Sequence, residues 1–215
     1  MKIIKKYSIS LILLVVLILT SPPLYADNFS GKTYYTKTNV WYENPNKILS
    51  TNYHRGAILP IGTKVEIHSI KGEKIQFTPD GNAQMFTIIN DKKTSTISTD
   101  ELFNRCFSTE EIQVGGGEYQ VTEAERENVK IGTIGLGMSK KAVLMAYGYP
   151  PTHKTPVLTS NIWYYWYARV SEVNVFFKDD KVFKIETIGP PGFHGFIGST
   201  VDSKGGIKSN GKTKE

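Results

Sequence analysis

Close to its C-terminus the chain reads Gly206-Ile207-Lys208-Ser209-Asn210-Gly211-Lys212-Thr213, a full match to the phosphate-binding loop pattern. That loop holds phosphate because a strand delivers it and the N-terminus of a following helix receives the anion. Here only Lys214 and Glu215 follow, so no helix is expected and nucleotide binding is not. A looser copy runs from Ala26 to Thr33. Cys106, the single cysteine, is the one thiol nucleophile available, and such chemistry needs a nearby base. The four histidines, His54, His68, His153 and His194, are scattered, with neither a catalytic signature nor ligand spacing for a metal. Glu110-Glu111 and Asp179-Asp180 are adjacent pairs, and neighbours on a strand point apart rather than to a common substrate. No catalytic residue, metal or cofactor is assigned.

The aromatic run Trp163-Tyr164-Tyr165-Trp166-Tyr167 is chemistry of another kind. As a strand it sends Trp163, Tyr165 and Tyr167 to one face and Ile162, Tyr164, Trp166 and Ala168 to the other. One set packs on a core. The other is either covered by a loop or is a contact face, since Trp and Tyr dominate binding hot spots. Tyr164 and Trp166 are the contact candidates. Tyr34, Tyr35, Trp41 and Tyr42, crowded on the first strand of the chain, are a second such group. Gly192-Phe193-His194-Gly195-Phe196 reads equally as a recognition loop or as a strap over the core.

The elements that position these residues fall into two segments. Thr33–Tyr42, Ala57–Leu59, Thr63–Ile70, Lys74–Thr78 and Met85–Ile89 read as short strands divided by turn signals such as Lys71-Gly72 and Pro79-Asp80-Gly81-Asn82. Val65 and Ile67 alternate with Lys64, Glu66 and His68, the pattern of a half-buried strand. Five strands at this spacing predict a small barrel. A short helix follows, with Thr99 as its cap and Leu102, Phe103, Cys106 and Phe107 on one face. Gly115-Gly116-Gly117 is a linker that leaves the two segments free either to move or to pack together. Beyond it, Thr122-Glu123-Ala124-Glu125 is a capping box opening a helix towards Val129. A second helix starts at the cap Ser139 and stops at Gly148. Strands over Asn161–Arg169, Glu172–Phe177 and Val182–Ile188 complete an α+β layer structure, with Asp179-Asp180 turning the last hairpin.

Composition narrows the class. The chain has 215 residues, 40% of them apolar, which is too hydrophobic for a disordered protein. Lys2, Lys5 and Lys6, then the apolar stretch Ile9–Leu19 and a helix break at Ser21-Pro22-Pro23, predict a signal peptide over residues 1–26, cut before Asp27. Its removal takes 26 basic residues to 23 against 20 acidic ones, a balance of +3 that gives no reason to expect nucleic acid. No later run is long and apolar enough for a membrane-spanning helix, so no anchor is expected after cleavage. Residues 199–215, rich in Gly, Ser and Lys, read as a disordered basic tail.

Gln120-Val121-Thr122, Ile131, Gly137-Met138-Ser139, Val143, Gly148, Pro150 and the run Asn161–Tyr167 occur in the order found in the SmpA/OmlA (BamE-like) family. Val175-Phe176-Phe177 and Val182-Phe183-Lys184-Ile185 match its closing hairpin. The second segment resembles these small lipoproteins of the outer-membrane β-barrel assembly machinery. The likeness implies two helices packed on a three-stranded antiparallel sheet, with Trp163 and Tyr165 serving the fold. Two departures stand out: the chain has no lipid-accepting cysteine at the expected cut, and it carries a front segment that the founding members lack. That segment, through Thr38-Asn39-Val40 and Gly62-Thr63-Lys64-Val65-Glu66-Ile67, is similar to bacterial SH3-like domains, which often bind wall peptides or other proteins. The expectation is an SH3-like β-barrel over residues 27–113 followed by a BamE-like domain over 118–190. The chain would be an exported, non-catalytic periplasmic protein associated with the outer membrane. Its partner would be another envelope protein, contacted through Tyr164, Trp166, Tyr34, Tyr35, Trp41 and Tyr42. Two alternatives are peptidoglycan as ligand of the barrel and, from a different class, a wall hydrolase using Cys106.

Overall fold

Alternation of side chains along short strands builds a curled, six-stranded sheet from the front of the chain. The structure, a computed structural model, describes Phe29, residues 32–51 and 53–190, Thr200–Val201 and Ile207–Lys208. The predicted signal peptide, the glycine-flanked Phe193 and Phe196 and most of the tail lie outside these residues. From the tail, Thr200–Val201 and Ile207–Lys208 pair antiparallel.

The front strands are β1 (Tyr34–Thr36), β2 (Val40–Tyr42), β3 (Ile48–Leu49), β4 (Ala57–Leu59), β5 (Lys64–Lys71), β6 (Lys74–Pro79) and β7 (Phe86–Ile89), joined later by β8 (Phe107–Ser108). The sheet runs in the order β3-β7-β6-β5-β1-β8, with β3 parallel to β7 and every other pair antiparallel. Along β5, Val65 and Ile67 are buried while Lys64, Glu66 and His68 are exposed, as their alternation predicts. Strands β2 and β4 form a separate two-stranded ladder.

The single strand expected over Thr33–Tyr42 is instead two, divided at Lys37–Asn39. The chain continues the β1–β8 register at Lys37 and leaves the sheet at Asn39, which bonds to a helix end. Lys37 N–H donates to the Cys106 carbonyl at 2.8 Å, and Asn39 N–H donates to that of Met145 at 2.9 Å. Helix α1 (Thr99–Cys106) is capped by Ser98, not by Thr99: the Ser98 hydroxyl accepts from Glu101 N–H at 3.0 Å. Thr99 is already helical, and its hydroxyl donates to the Gly72 carbonyl. Leu102, Phe103 and Phe107 are buried, with the Phe103 and Phe107 rings 5.3 Å apart.

Gly115 closes a turn onto the Tyr119 carbonyl, and a short 3₁₀ turn spans Gly117–Tyr119. Helix α2 (Glu123–Ile131) opens on the full capping box, in which Thr122 and Glu125 each satisfy the other's backbone N–H. It ends at Gly132, whose φ of 67° is left-handed. Helix α3 (Lys140–Tyr147) is capped by Ser139 and ends at Gly148. Strands β9 (Ile162–Ala168), β10 (Ser171–Lys178) and β11 (Lys181–Ile188) form an antiparallel sheet in the order β11-β10-β9. Asp179 and Asp180 turn the β10–β11 hairpin with φ of 50° and 57°, a conformation that short Asp side chains tolerate. Val143, Ala146, Trp163, Tyr165 and Val175 are fully buried between helices and sheet. Among the described residues no helix is long and apolar enough to cross a membrane.

The described residues from Lys32 to Pro190 belong to one compact unit. Gly132 marks how closely the two segments approach. A Cβ there would meet Trp41 Cζ2 at 2.6 Å and Ile58 Cδ1 at 2.5 Å, in a backbone conformation that L side chains rarely adopt. Gly132→Ala is therefore expected to cost about 2–4 kcal/mol, combining left-handed strain with overpacking. Urea unfolding should show it as one transition at lower midpoint; an unchanged midpoint would mean that the segments are not packed at this point.

Candidate functional site

A groove of about 220 Å³ is lined by Trp41, Tyr42, Glu43, Asn44, Lys47, Ile48, Leu49 and Tyr53. Strand β2 supplies Trp41 and Tyr42, β3 supplies Ile48 and Leu49, and the turn between them supplies the polar rim. Asn44 makes that turn: its side-chain oxygen accepts from Asn46 N–H at 2.9 Å and its carbonyl from Lys47 N–H at 3.0 Å. Thr87 N–H donates to the Pro45 carbonyl at 2.7 Å and fastens the turn to β7. On the opposite side Gly56 has φ +83° and leaves no room for a Cβ, which would lie 2.4 Å from the Tyr42 carbonyl oxygen. Arg55 pairs with Glu43 at 3.1 Å, both about half exposed. The Tyr42 ring packs edge-on against Phe86 at 5.0 Å, so its position is fixed by the sheet core.

The groove backs onto the protein core through Trp41, whose ring meets that of His54, the neighbour of Tyr53, at 5.8 Å. His54 is fully buried. Its ring stacks on Tyr147 at 3.8 Å and meets the edges of Trp41 and Tyr165. Nε2 lies 2.7 Å from the Tyr147 carbonyl oxygen and Nδ1 3.1 Å from that of Trp166. A neutral imidazole has one N–H for these two acceptors, and the shorter contact assigns it to Nε2. Burial lowers the His54 pKa to about 4, against the opposing pull of the Tyr147 and Trp166 carbonyls. The ring is therefore neutral at pH 7 and structural.

The aromatic residues singled out from the sequence divide accordingly. Trp41 and Tyr42 meet in the groove, although Trp41 is 6% exposed and mostly supports its floor. Tyr34 is 6% exposed, lies outside the groove and packs edge-on to Phe103 at 5.4 Å. Tyr35, half-buried on β1 opposite Lys64 and Ser108, is outside the groove. Tyr164 and Trp166 are half-buried on the face of β9 turned away from the helices, while Trp163 and Tyr165 are fully buried against them. Lys154 lies over the Trp166 ring at 5.2 Å and also pairs with Glu172, so that face is partly covered by the loop before β9. Lys47, Leu49 and Tyr53 line the groove from two-residue β3 and the loops beside it, which carry no readable periodicity.

Cys106 and the described histidines lie apart from one another in the fold. Cys106 lines a small cavity of about 40 Å³ beside Arg105, Tyr149 and Thr38, and burial pushes its thiol up to about 12. It is a protonated thiol at neutral pH, a poor nucleophile. His68 bonds Thr78 and His153 bonds the Thr94 carbonyl. Among the described residues no three His, Cys, Asp or Glu side chains gather where a metal ion would sit. Among the described residues Glu125 is the most strongly held acid. Burial pushes its carboxyl up, but the N–H groups of Thr122 and Ser139 and the Lys181 ammonium outweigh it and pull the pKa down to about 2.

These two groups set the acid response. His54 must stay neutral, so the stability it secures is complete above pH 6.5 and falls as pH drops towards 4; Glu125 loses its contribution between pH 4.5 and 2. His54 accounts for roughly 3 kcal/mol at most, and Glu125 for less, because its partner Lys181 is half in solvent. Unfolding midpoints measured from pH 8 to 3 should fall in both windows. The upper fall should vanish in His54→Gln while the lower one persists, and a flat profile between pH 6.5 and 4.5 would refute the buried neutral ring. No match to this chain is found among protein-family models, curated proteins or solved structures.

Proposed function

We propose that this chain is an exported cell-envelope protein without catalytic activity that binds another envelope protein through the groove of Tyr42, Leu49 and Tyr53. The groove itself carries the reading. It is smaller than the roughly 300 Å³ at which small-molecule and cofactor pockets begin, and it suits one or two side chains of a peptide. Aromatic walls supply area at low entropic cost, while Lys47 and the Glu43–Arg55 pair offer charges of both signs at the rim. In this reading the front sheet is an SH3-like module and the α2–α3–β9–β10–β11 layer a BamE-like one, working in outer-membrane assembly or maintenance. The order of helix, Gly-Met-Ser, helix, aromatic strand and closing hairpin supports that assignment. Export rests on the basic, then apolar, N-terminal residues of the sequence.

A photoreactive residue at Tyr53 in living cells should trap one envelope protein, and the processed chain should begin at Asp27. Tyr42→Ala with Tyr53→Ala should reduce capture at least about tenfold, as expected for loss of two aromatic anchors, with little change in melting temperature. A glycan-peptide adduct instead would move the ligand to peptidoglycan. No adduct at Tyr53, together with one at Trp166, would place the contact on the outer face of β9.

A further inference from the structure

The three-stranded sheet has one closed edge and one open edge. On β9, Tyr164 N–H donates to the Thr155 hydroxyl at 3.0 Å and the Trp166 carbonyl accepts from His54 N–H at 3.3 Å. On β11 only the first residues are covered, where Val182 exchanges hydrogen bonds with Gly137 and Met138 at 2.7 and 2.8 Å. From Phe183 to Ile188 no strand lies against that side among the described residues. An edge of this kind is a template for another chain.

Which of its backbone groups point outward follows from the ladder. Phe177 N–H donates to the Asn161 carbonyl, towards β9. By alternation Val173 and Val175 also direct their groups to β9, whereas Glu172, Asn174 and Phe176 direct theirs to β11. Their register partners Ile188, Glu186 and Lys184 therefore bond inward, which leaves the N–H and C=O of Ile185 and Thr187 pointing away from the sheet.

We propose that a second copy of this chain occupies this edge, antiparallel, about a two-fold axis through Ile185. Outward-facing residues must oppose outward-facing residues, so the axis has to pass through a residue of the strand. An axis at Lys184 sets Lys184 against itself, and an axis at Glu186 sets Glu186 against itself, both unfavourable like-charge pairs. An axis at Ile185 sets Lys184 against Glu186 of the second copy, twice. It also sets Ile185 against Ile185, as a hydrogen-bonded pair. Lys184 and Glu186 already pair within one chain at 2.5 Å with side chains 52% and 41% exposed, so the symmetric contact extends one ion pair into a four-charge row. Phe183, 55% exposed and edge-on to Phe176 at 6.3 Å, gains cover from the incoming strand. The pairing ends the same way on both sides of the axis, because Gly137 and Met138 occupy the edge at Val182 of each copy. The contact is isologous, so it closes at two copies.

Sedimentation velocity across the micromolar to millimolar range, on the protein as the cell processes it, tests this. The wild type should form a dimer, whereas Lys184→Glu and Glu186→Lys should each remain monomeric, folded by circular dichroism, because each carries like charges across the axis. Mixing the two variants should restore a dimer of one copy of each, since position 184 of either copy then faces an opposite charge at position 186 of the other. Loss of the intrachain pair alone cannot produce that rescue, because both variants lack it. A wild type that stays monomeric at millimolar concentration, variants that dimerise like the wild type, or a mixture that does not associate would each overturn the proposal.

Discussion

The Met145, Ala146 and Tyr147 carbonyls at the end of α3, with Val129 O of α2, are met by groups from the front of the chain. A helix leaves its final four carbonyl groups without internal partners, and burying them unmet costs about 1–3 kcal/mol each. Here the Asn39 side-chain amide donates to Val129 O at 2.6 Å and Ala146 O at 3.2 Å, and Asn39 N–H donates to Met145 O. The Trp41 indole N–H reaches Ala146 O at 3.5 Å, and His54 Nε2 reaches Tyr147 O. The side-chain oxygen of Asn39 meanwhile accepts from Ile61 N–H at 2.9 Å, so one buried residue ties both helices to the β4–β5 turn. Neither half could be removed without orphaning polar groups in the other. This constraint explains why β1 and β2 are separate strands: the chain bends where Asn39 has to face the helix ends.

The same constraint decides how the groove behaves. Trp41 and Tyr53 border it, and each is adjacent to or part of the bonding that closes α3. A side chain entering the groove meets a wall held from behind by Tyr147, His54 and Phe86, so little ordering entropy remains to be lost on binding. Rigid aromatic walls favour a partner whose contacting segment is also preformed. In the neutral state the Nδ1 lone pair of His54 faces the Trp166 oxygen, a modest electrostatic cost that burial of a charge would exceed.

Much of the second segment could be read from the sequence because its signals are local. Thr122 and Glu125 are three residues apart, Ser139 and Gly148 bracket one helix, and Asp179-Asp180 sits between two strands. Alternation alone separated Trp163 and Tyr165 from Tyr164 and Trp166, and the two sets differ in burial as that alternation requires. The front segment was harder. Strands of two or three residues carry no period, and β3 pairs in parallel with a strand about 40 positions later, which no local pattern announces. Tyr34 and Trp41 looked like surface aromatics because their burial depends on Phe103 and Tyr147, remote in sequence. His54 resembled a stray histidine for the same reason: its acceptors lie 93 and 112 positions away.

The two edges of the small sheet show how polar backbone is managed on either side of one layer. The β9 edge is consumed internally, by Thr155 and by His54, and so belongs to the same bonding that holds the halves together. Nothing comparable reaches Ile185 or Thr187 among the described residues, and the strand there carries Lys184 and Glu186 side by side on its exposed face. Alternating charges on an edge discourage pairing with arbitrary strands, since most registers set like against like or leave a charge opposite an apolar residue. They leave one symmetric register favourable. An edge guarded in this way is selective rather than inert, and its selectivity is for a strand with the same order of charges running the other way.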